Sequence, residues 1–289
     1  MLEETKAIYG LIGYPVKHSL SPLMHNAAFK ALQVDAEYRL FELQKDELDE
    51  FFDKLKDELS PIFGLNVTVP YKEEVIKYID SLSPFAQKVM AVNTIVVSKD
   101  RKLIGYNTDA PGFLAHLNEL KFEVCDKKVA IIGAGGASRA IVSMLCLMPD
   151  KPKIILLYDI DKQRAEKLIE DLSQRMDTSI VKAVFSIDDL DINNAELLIN
   201  ATPVGMKQDD PVLIEPELLH TGMLVYDLIY NPAETSLLKI AKQRGADTAN
   251  GLGMLFYQGV LAFEHWANTR LDEKIKIKMR EALEKGLEK

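Results

Sequence analysis

The sequence predicts an α/β protein of two domains, the second built on a doubly wound parallel sheet. Three observations predict this fold class. The length of 289 residues suggests about two domains. A short apolar run, Val129–Ile132, is followed at once by glycines and then by a helix-compatible stretch to about Met148. Residues from about 112 to 246 alternate strand and helix, which is typical of a parallel sheet covered by helices on both faces.

The composition limits the class of partner and compartment. The chain is 47% apolar, as soluble globular proteins are, and 35 basic against 44 acidic residues give a net charge of −9. No basic tract stands out, so we expect neither nucleic acid nor an anionic membrane as a partner. The first residues lack a signal-peptide pattern, and no apolar run approaches the length of a membrane span, so we expect a cytoplasmic protein. Cys125 and Cys146 form no C-x-x-C pair or His/Cys cluster, which predicts reduced thiols and no metal site.

The stretch Val129–Arg139, VAIIGAGGASR, indicates a dinucleotide site. Gly133 and Gly135 permit a tight turn and let a pyrophosphate approach the backbone, and the helix N-terminus then holds the phosphates. Ser138, a small residue, replaces the third glycine of G-x-G-x-x-G. Asp159 follows the next apolar run, where an acid accepts hydrogen bonds from an adenosine ribose. An ordinary strand–helix turn is the alternative for the glycines alone, and a P-loop is excluded because no Gly-Lys-Ser/Thr follows them.

The N-terminal segment places polar residues at predicted strand and helix ends. Ser21, followed by a proline, is predicted to cap a helix, and together with Ser19 it offers two hydroxyls that can grip a carboxylate. Lys72 stands at the start of a predicted helix, where the helix dipole disfavours a cation. The alternative to a functional lysine at this position is a solvated surface lysine. Asp109 is either a helix cap or a group that positions a lysine amine and a substrate hydroxyl. A ligand site is therefore predicted from five such residues: Asn66, Thr68, Lys72, Asn93 and Asp109.

The C-terminal part of the sequence contains a candidate ligand-binding loop and a glutamine within an apolar helix, and it indicates where the domains end. The loop Asn200–Met206 follows a predicted strand at the sheet edge where ligands bind, although a plain turn is the alternative. Gln258 lies within an apolar helix, either bonded inside the fold or aimed at a ligand. His18 and His25 are predicted to be structural. The last helix carries an apolar stripe, so we expect a first domain of residues 1–111 completed by 247–289, and a dinucleotide-binding domain of residues 112–246.

In these motifs the sequence resembles the shikimate dehydrogenase family over nearly the whole chain. The resemblance rests on eight stretches in order: HSLSPLMHN at 18–26, NVTVPYK at 66–72, AVNT at 91–94, GYNTDAPGF at 105–113, GAGGASRA at 133–140, NATPVGM at 200–206, DLIYNP at 227–232 and NGLGMLFYQG at 250–259. It implies reduction of 3-dehydroshikimate to shikimate with a nicotinamide cofactor, in the pathway to chorismate and the aromatic amino acids. It also implies a substrate cleft between an N-terminal α/β domain and a Rossmann domain.

The resemblance implies a role for each matching residue. Lys72 and Asp109 would be the catalytic pair, and Ser19 and Ser21 would bind the substrate carboxylate. The substrate ring and carboxylate would further contact Asn66, Thr68, Asn93, Tyr230 and Gln258. The pyrophosphate would bind at Gly133, Ala134, Gly135, Gly136 and Ala137, and the nicotinamide side would be lined by Thr202, Val204, Met206, Leu228, Gly251 and Met254.

One departure from the family pattern concerns the cofactor. The family's common Asn-Arg-Thr motif, which grips the adenosine 2′-phosphate, is Asp159-Ile160-Asp161 here. The arginine is missing and two carboxylates stand nearby, so we expect NAD to be favoured over NADP. Arg164, one helical turn further on, is a cation that can restore NADP binding.

Two other functions stay open at this point. The first is an NAD-dependent quinate/shikimate dehydrogenase, against which the serines at 19 and 21 argue. The second is a non-catalytic sensor of shikimate or nucleotide, against which the intact pair of Lys72 and Asp109 argues. We expect a monomer or a homodimer.

Overall fold

The structure, a computed structural model, describes residues 6–287 of the chain. They group into two units. The first comprises the described parts of Met1–Gly112 and Leu255–Lys289, and the second comprises Phe113–Met254. Within the described part, no helix is both long enough and apolar enough to cross a membrane.

Strands and helices alternate along most of the chain. The strands are β1 Ala7–Gly13, β2 Ala36–Glu42, β3 Ile62–Val67, β4 Ser81–Leu82, β5 Thr94–Val97, β6 Leu103–Tyr106, β7 Lys128–Ile132, β8 Ile154–Tyr158, β9 Val181–Val184, β10 Leu197–Asn200, β11 Leu224–Asp227 and β12 Asp247–Ala249. The helices are α1 Ser21–Leu32, α2 Leu48–Leu55, α3 Pro84–Val89, α4 Asp109–Glu119, α5 Gly136–Leu147, α6 Lys162–Ser173, α7 Ser236–Gln243, α8 Leu252–Ala267 and α9 Glu273–Leu287.

The first unit is built on a mixed sheet with the strand order β2-β1-β3-β5-β6-β4. Strand β1 runs parallel to both β2 and β3, whereas β5 runs antiparallel to β3 and forms a hairpin with β6. The turn of this hairpin covers residues 98–102. On β3, Leu65 and Val67 enter the apolar core, and the alternation of a strand turns the intervening Asn66 away from them.

The C-terminal helix α9 belongs to the first unit and packs on α1. The predicted apolar stripe is buried at Ile275, Met279 and Leu283, which recur every four residues and so share one helix face. Near the end of α9, a Cβ added to Gly286 would come within 2.5 Å of the Leu23 side chain of α1. The stripe therefore closes the core beneath the helix that carries Ser21.

The second unit is built on a fully parallel sheet with the strand order β12-β11-β10-β7-β8-β9. The chain leaves β7 towards β8 on one side and later returns to β10 on the other, which is the doubly wound arrangement predicted from the sequence. The reversal point lies between the carboxyl ends of β7 and β10, where sheets of this kind bind ligands. Val129 and Ile131 enter one apolar cluster and Ala130 and Ile132 another, because helices cover both faces.

Residues 247–254 lie in the second unit, whereas the sequence analysis assigned them to the first. The reason is strand β12, which pairs in parallel with β11 from Asp247 to Ala249 and forms an edge of the parallel sheet. The three-residue strand is too short for a periodicity to reveal it.

Candidate active site

A largely buried ion pair joins two residues that the sequence analysis singled out. Lys72 lies five residues beyond the end of β3, and Asp109 is the first residue of α4. The Lys72 Nζ lies 2.6 Å from the Asp109 Oδ2, and the two side chains are 14% and 8% exposed. Because both groups are mostly shielded from water, their attraction is screened less than that of a surface pair. An ammonium and a carboxylate in such contact can together bind a hydroxyl and move its proton.

Asn93 holds the Asp109 carboxylate from the other side. The Asn93 Nδ2 donates to the Asp109 Oδ1 at 2.8 Å and to the Thr108 Oγ at 3.0 Å. The orientation of the amide is fixed in turn, because the Asn93 Oδ1 accepts from the Thr108 main-chain N–H at 2.7 Å. Each Asp109 oxygen therefore has its own donor, the ammonium on one and the amide on the other.

Two further predicted residues, Asn66 and Gln258, bond to the same cluster. The Asn66 Nδ2 donates to the Asn93 carbonyl at 3.2 Å and to the Thr94 Oγ at 3.1 Å. The Gln258 Nε2 donates to the Leu255 carbonyl at 2.9 Å, while its Oε1 lies 3.4 Å from the Asn93 Nδ2. Both side chains are buried and have partners within the first unit. The structure thus brings Asn66, Lys72, Asn93, Asp109 and Gln258 into one hydrogen-bonded cluster.

The two serines pair with each other, but Ser21 does not cap α1 as predicted. The helix begins at Ser21 itself, so the capping position falls on Leu20. The Ser21 N–H donates to the Ser19 Oγ at 3.2 Å, and the Ser19 hydroxyl donates to the Ser21 Oγ at 3.1 Å. The Ser21 hydroxyl is therefore left for contacts other than helix capping. Thr68, just beyond β3, is half-buried, and its main-chain N–H donates to the Ile12 carbonyl at 2.9 Å.

The cluster also contains three residues that were not predicted from the sequence, namely Tyr38, Thr94 and Thr108. All three are at most 2% exposed. The Thr94 and Thr108 hydroxyls lie 3.1 Å apart, and the Tyr38 hydroxyl donates to the Asn66 Oδ1 at 2.7 Å. The threonines stand beside Asn93 and Asp109 in the chain, which was a usable signal. Tyr38 gives none, because an aromatic residue in a strand is ordinary core composition.

The glycine loop after β7 has the geometry that phosphate binding needs. Gly133 has a φ of +100°, and a Cβ there would come within 2.9 Å of the Ala201 carbonyl oxygen. At Gly135 an added Cβ meets no atom of the described residues within 4 Å, so space is open in front of α5. Gly135 is also the N-cap of α5, and no described side chain bonds there. The first N–H groups of the helix are thus left for an anion.

Ser138, which replaces the third glycine, is fully buried, and its hydroxyl donates to the Gly133 carbonyl. The substitution therefore retains the close helix–strand packing that the motif requires and adds a bond across the turn. Gly136 and Ala137 form the first turn of α5. This part of the site fits a dinucleotide pyrophosphate.

Gly133→Ala is expected to destabilise the protein by about 2–5 kcal/mol, because left-handed backbone strain and a clash with the Ala201 carbonyl act together. Gly222→Ala is the matched control. Gly222 has a φ of +89° and no atom of the described chain within 4 Å of its added Cβ, so we expect the strain alone, about 1–2 kcal/mol. Urea denaturation measures both losses. Equal losses in the two variants would show that the Ala201 contact is unimportant.

Both carboxylate oxygens of Asp159 accept hydrogen bonds from the protein backbone. Its Oδ2 accepts from the Ala134 N–H at 2.7 Å, and its Oδ1 accepts from the Asp161 N–H at 2.9 Å. The side chain is buried, so it braces the glycine loop and has little capacity left for a ribose. Asp161 caps α6 by accepting from the Gln163 N–H, and the Arg164 Nε lies 4.0 Å from its carboxylate. Each carboxylate near the predicted ribose site is therefore engaged within the protein.

The loop after β10 is shaped by Asn200 and Asp227, two residues whose roles the sequence analysis did not identify. The Asn200 Oδ1 accepts from the Thr202 hydroxyl at 2.7 Å, and its Nδ2 donates to the Val204 carbonyl and to the Asp227 Oδ1, both at 3.1 Å. The Thr235 hydroxyl donates to the other Asp227 oxygen at 2.7 Å. Burial raises the pKa of the Asp227 carboxyl, and these hydrogen bonds act in the opposite direction.

The other residues predicted on the nicotinamide side also lie in the second unit. Gly251 packs directly on Leu228, the residue that follows β11, since a Cβ there would fall 2.0 Å from the Leu228 carbonyl oxygen. Met254 is 8% exposed, whereas Met206 is 56% exposed. Tyr230 lies three residues beyond β11 and is half-buried. The described residues contain no group of three His, Cys, Asp or Glu side chains able to hold a metal ion.

Comparison with known proteins identifies the family. The profile of the shikimate dehydrogenase substrate binding domain matches residues 11–95. A shikimate dehydrogenase (NADP(+)) of Methanocaldococcus jannaschii is 42% identical over 92% of this chain and 93% of its own length. The chain belongs to the shikimate dehydrogenase family. This membership confirms the resemblance and the predicted class of enzyme, an oxidoreductase that uses a nicotinamide cofactor and acts on a CH–OH group.

Solved structures of shikimate dehydrogenases agree with the fold. One, determined in complex with NADP+, is 38% identical with a TM-score of 0.89 over 100% of this chain and 98% of that one. Another, from Thermus thermophilus in complex with NADP(H) and shikimate, is 32% identical with a TM-score of 0.84, covering 97% and 100% of the two chains. The predicted combination of an α/β substrate domain with a Rossmann domain is confirmed for the family fold.

The comparisons contradict the predicted preference for NAD over NADP. The Methanocaldococcus relative is named for NADP(+), and both solved shikimate dehydrogenases were determined with the phosphorylated cofactor. The prediction rested on the missing arginine, on repulsion of the 2′-phosphate by two carboxylates, and on a free Asp159 carboxylate as the ribose acceptor. That carboxylate instead accepts from two backbone amides, so its presence in the sequence carries little information about the cofactor.

Proposed function

We propose that this chain catalyses the reversible reduction of 3-dehydroshikimate to shikimate with NADP(H), as a cytoplasmic enzyme of aromatic biosynthesis. The observation that supports this most directly is the Lys72–Asp109 pair, with 2.6 Å between the Lys72 Nζ and the Asp109 Oδ2. A ketone reduction needs a proton at the oxygen that becomes an alcohol. An ammonium held in place by a carboxylate, on a protein of this family, meets that need.

In the proposed mechanism, Lys72 and Asp109 handle the proton. The nicotinamide, when bound, supplies or accepts the hydride at the ring carbon. Lys72 donates a proton to the forming alkoxide or stabilises its charge, since the Nζ bonded to Asp109 has further protons to offer. Asp109 holds the amine and shares the hydrogen bond of the substrate hydroxyl. Asn93 keeps that carboxylate oriented through its 2.8 Å bond, so the pair is preorganised before substrate arrives.

The substrate contacts are proposed on the polar residues that the family resemblance singles out. Ser19 and Ser21 supply two hydroxyls for the carboxylate, which suits an anion because each can turn its proton towards it. The ring hydroxyls are assigned to Asn66, Thr68, Asn93, Tyr230 and Gln258. A carboxylate bound by neutral hydroxyls also fits a protein whose net charge is −9, since no basic patch is needed.

The cofactor is proposed to bind in the second unit. Its pyrophosphate lies on the loop Gly133–Ala137, at the open N-terminus of α5. Its nicotinamide is assigned to Thr202, Val204, Met206, Leu228, Gly251 and Met254. The 2′-phosphate is assigned to Arg164, whose side chain is 68% exposed near the start of α6. This guanidinium offers a positive charge and charge-assisted hydrogen bonds to the phosphate.

Arg164→Gln is expected to raise KM for NADP+ about tenfold, because one charge-assisted contact to phosphate is lost. KM for NAD+ should change less than twofold, since NAD+ lacks that phosphate. Lys167→Gln, an exposed cation further along α6, is the matched control and should affect neither value. Steady-state kinetics with both cofactors measures the effect. A parallel rise in both KM values would remove Arg164 from phosphate recognition.

The function itself is tested by oxidation of shikimate and of quinate, each with NADP+ and with NAD+. Formation of the reduced nicotinamide is followed by its absorbance. We expect the highest kcat/KM for shikimate with NADP+. Faster quinate oxidation would instead support a quinate/shikimate dehydrogenase. If the protein binds shikimate but oxidises neither substrate with either cofactor, the result would support a sensor.

Sedimentation of the same sample distinguishes a monomer from a homodimer.

A further inference from the structure

Asp227, the last residue of β11, is a fully buried carboxylate that accepts three hydrogen bonds. Its Oδ1 accepts from the Asn200 Nδ2 and from the Ile229 N–H, both at 3.1 Å. Its Oδ2 accepts from the Thr235 hydroxyl at 2.7 Å. All three of these donors are neutral groups. Because burying a charge among neutral groups costs folding free energy, stability alone does not account for this residue.

Asn200 links this carboxylate to the loop after β10. It ends β10, lies opposite Asp227 in the parallel pairing of the two strands, and is fully buried. Its Nδ2 also donates to the Val204 carbonyl at 3.1 Å, and its Oδ1 accepts from the Thr202 N–H at 3.0 Å and from the Thr202 hydroxyl at 2.7 Å. Only the Nδ2 of an amide donates, so the bond to Asp227 fixes which way the Asn200 side chain faces. The shape of the loop therefore depends on Asp227.

The same carboxylate holds the segment that follows β11. Its Oδ1 binds the Ile229 N–H, and the preceding Leu228 N–H donates to the Asn200 carbonyl at 2.9 Å. The Ile229 carbonyl in turn accepts from the Gly251 N–H at 3.1 Å. Asp227 Oδ1 is thus shared between two segments of the second unit, the loop after β10 and the segment after β11.

We propose that Asp227 is a positioning residue for the nicotinamide, acting through Asn200 and the Ile229 N–H. The proposal rests on the function proposed above, which assigns Thr202 of the first segment and Leu228 of the second to the nicotinamide side. Asp227 is enclosed by the protein, so it acts through these neighbours. Hydride transfer requires a closely defined distance between the ring and the reacting carbon, so a small displacement of either segment lowers the rate steeply.

The test compares Asp227→Ala with Val225→Ala. Val225 is the matched control, because it lies two residues earlier on β11, is fully buried, and contributes packing to an apolar cluster of the second unit. We expect Asp227→Ala to lower kcat for shikimate oxidation with NADP+ by about tenfold or more, because the ring is less precisely held. Val225→Ala should lose stability on thermal melting and keep kcat within about twofold. Equal losses of kcat in the two variants would overturn the proposal.

Asp227→Asn separates positioning from the effect of the charge itself. The new amide keeps one oxygen for Asn200 and Ile229, and its nitrogen can donate to the Thr235 hydroxyl, which accepts as well as donates. The hydrogen bonds can therefore persist without the charge, and we expect kcat within about threefold of the wild-type value. A loss as large as that of Asp227→Ala would assign the effect to the charge and refute the proposed role.

Two readouts do not depend on turnover. In the cofactor-free protein, amide hydrogen exchange of residues 201–206 should be about tenfold faster in Asp227→Ala and unchanged in Val225→Ala. Calorimetry should show that 2′-phospho-ADP-ribose, which lacks the nicotinamide, binds Asp227→Ala with a Kd within about twofold of wild type, while the Kd of NADP+ rises. Unchanged exchange, or a parallel rise in both Kd values, would contradict the proposal.

If Asp227→Ala does not fold, Thr235→Val removes one of the three donors while keeping the shape of the side chain. Exchange of residues 201–206 should then still be about two- to threefold faster than in the wild type, and an unchanged rate would overturn the proposal. A wild-type protein inactive on shikimate would refute the proposed function itself. An active protein whose Asp227→Ala variant retains its kcat refutes only this inference.

Discussion

Lys72→Ala is expected to lower kcat for shikimate oxidation by roughly 10²–10⁴-fold, with KM for shikimate changed by less than about threefold. The physical reason is that the ammonium acts on an oxygen whose charge changes during the reaction. In the ground state that oxygen is a neutral hydroxyl or ketone, so the lysine contributes more to the transition state than to binding. Steady-state kinetics at saturating NADP+ measures the two constants separately.

A second ion pair of the first unit provides the matched control for this substitution. The Lys56 Nζ lies 3.3 Å from the Asp80 Oδ1, and neither residue belongs to the cluster around Asp109. Lys56→Ala should leave kcat within twofold of the wild-type value. If Lys72→Ala has an equally small effect on kcat, then Lys72 has no part in the chemistry and the mechanism proposed above is wrong.

Asp109→Asn is expected to lower kcat by about 10²-fold, again with a smaller effect on KM. Both oxygens of this carboxylate accept hydrogen bonds, from the Lys72 Nζ and from the Asn93 Nδ2. An amide has only one acceptor oxygen, so it must present its nitrogen to one of these donors. The ammonium therefore loses either its counter-charge or its fixed position, and proton transfer suffers in both cases.

The corresponding control is Asp80→Asn, which neutralises the other pair. The Asp80 Oδ2 accepts from the Leu103 N–H at 2.8 Å, so this variant also removes a carboxylate bonded on both oxygens. We expect a modest loss of stability and an unchanged kcat. Thermal melting of both variants shows whether they are equally folded. A kcat for Asp109→Asn within threefold of wild type would remove this carboxylate from the mechanism.

The sequence predicted the sheets well because their signals are local. Val129–Ile132 is followed directly by glycines, and that junction alone indicates a strand turning into a helix. Strand β12 could not be predicted in the same way, since three residues carry no periodicity. Its place at the sheet edge depends on pairing with β11, which is contact at a distance along the chain. The local pattern therefore predicts the individual strands and helices. Where the second unit ends depends instead on strand pairing between residues far apart in the chain.

The site was predicted in part, and its missing members share one property. Lys72 was singled out because the dipole at a helix start disfavours a cation, and Asp109 because an aspartate there can position a lysine amine. The resemblance to the family then implied that the two form the catalytic pair. Tyr38 and Asn200 were missed because a tyrosine in a strand and an asparagine before a Thr-Pro turn have ordinary structural explanations. Their importance arises from what they bond, and hydrogen-bond partners cannot be read from a single residue's identity.

The cofactor prediction failed for a related reason. Asp159 stands where a ribose acceptor is expected, but its oxygens accept from the Ala134 and Asp161 amides. The sequence shows that a carboxylate is present, but it does not show which hydrogen-bond donors that carboxylate already binds. The residue therefore bears on the stability of the loop rather than on the choice between two nucleotides.

Lys72, Asp109, Asn93 and their hydrogen-bonding neighbours all lie in the first unit, while the glycine loop and its supports lie in the second. The residues proposed to move the proton and the residues proposed to bind the dinucleotide thus lie in separate stretches of the chain. Exchanging residues 113–254 for the equivalent segment of a relative with another nucleotide preference would alter which coenzyme is used. The pair proposed to handle the proton would be retained, whereas the substrate contact proposed on Tyr230 would come from the relative.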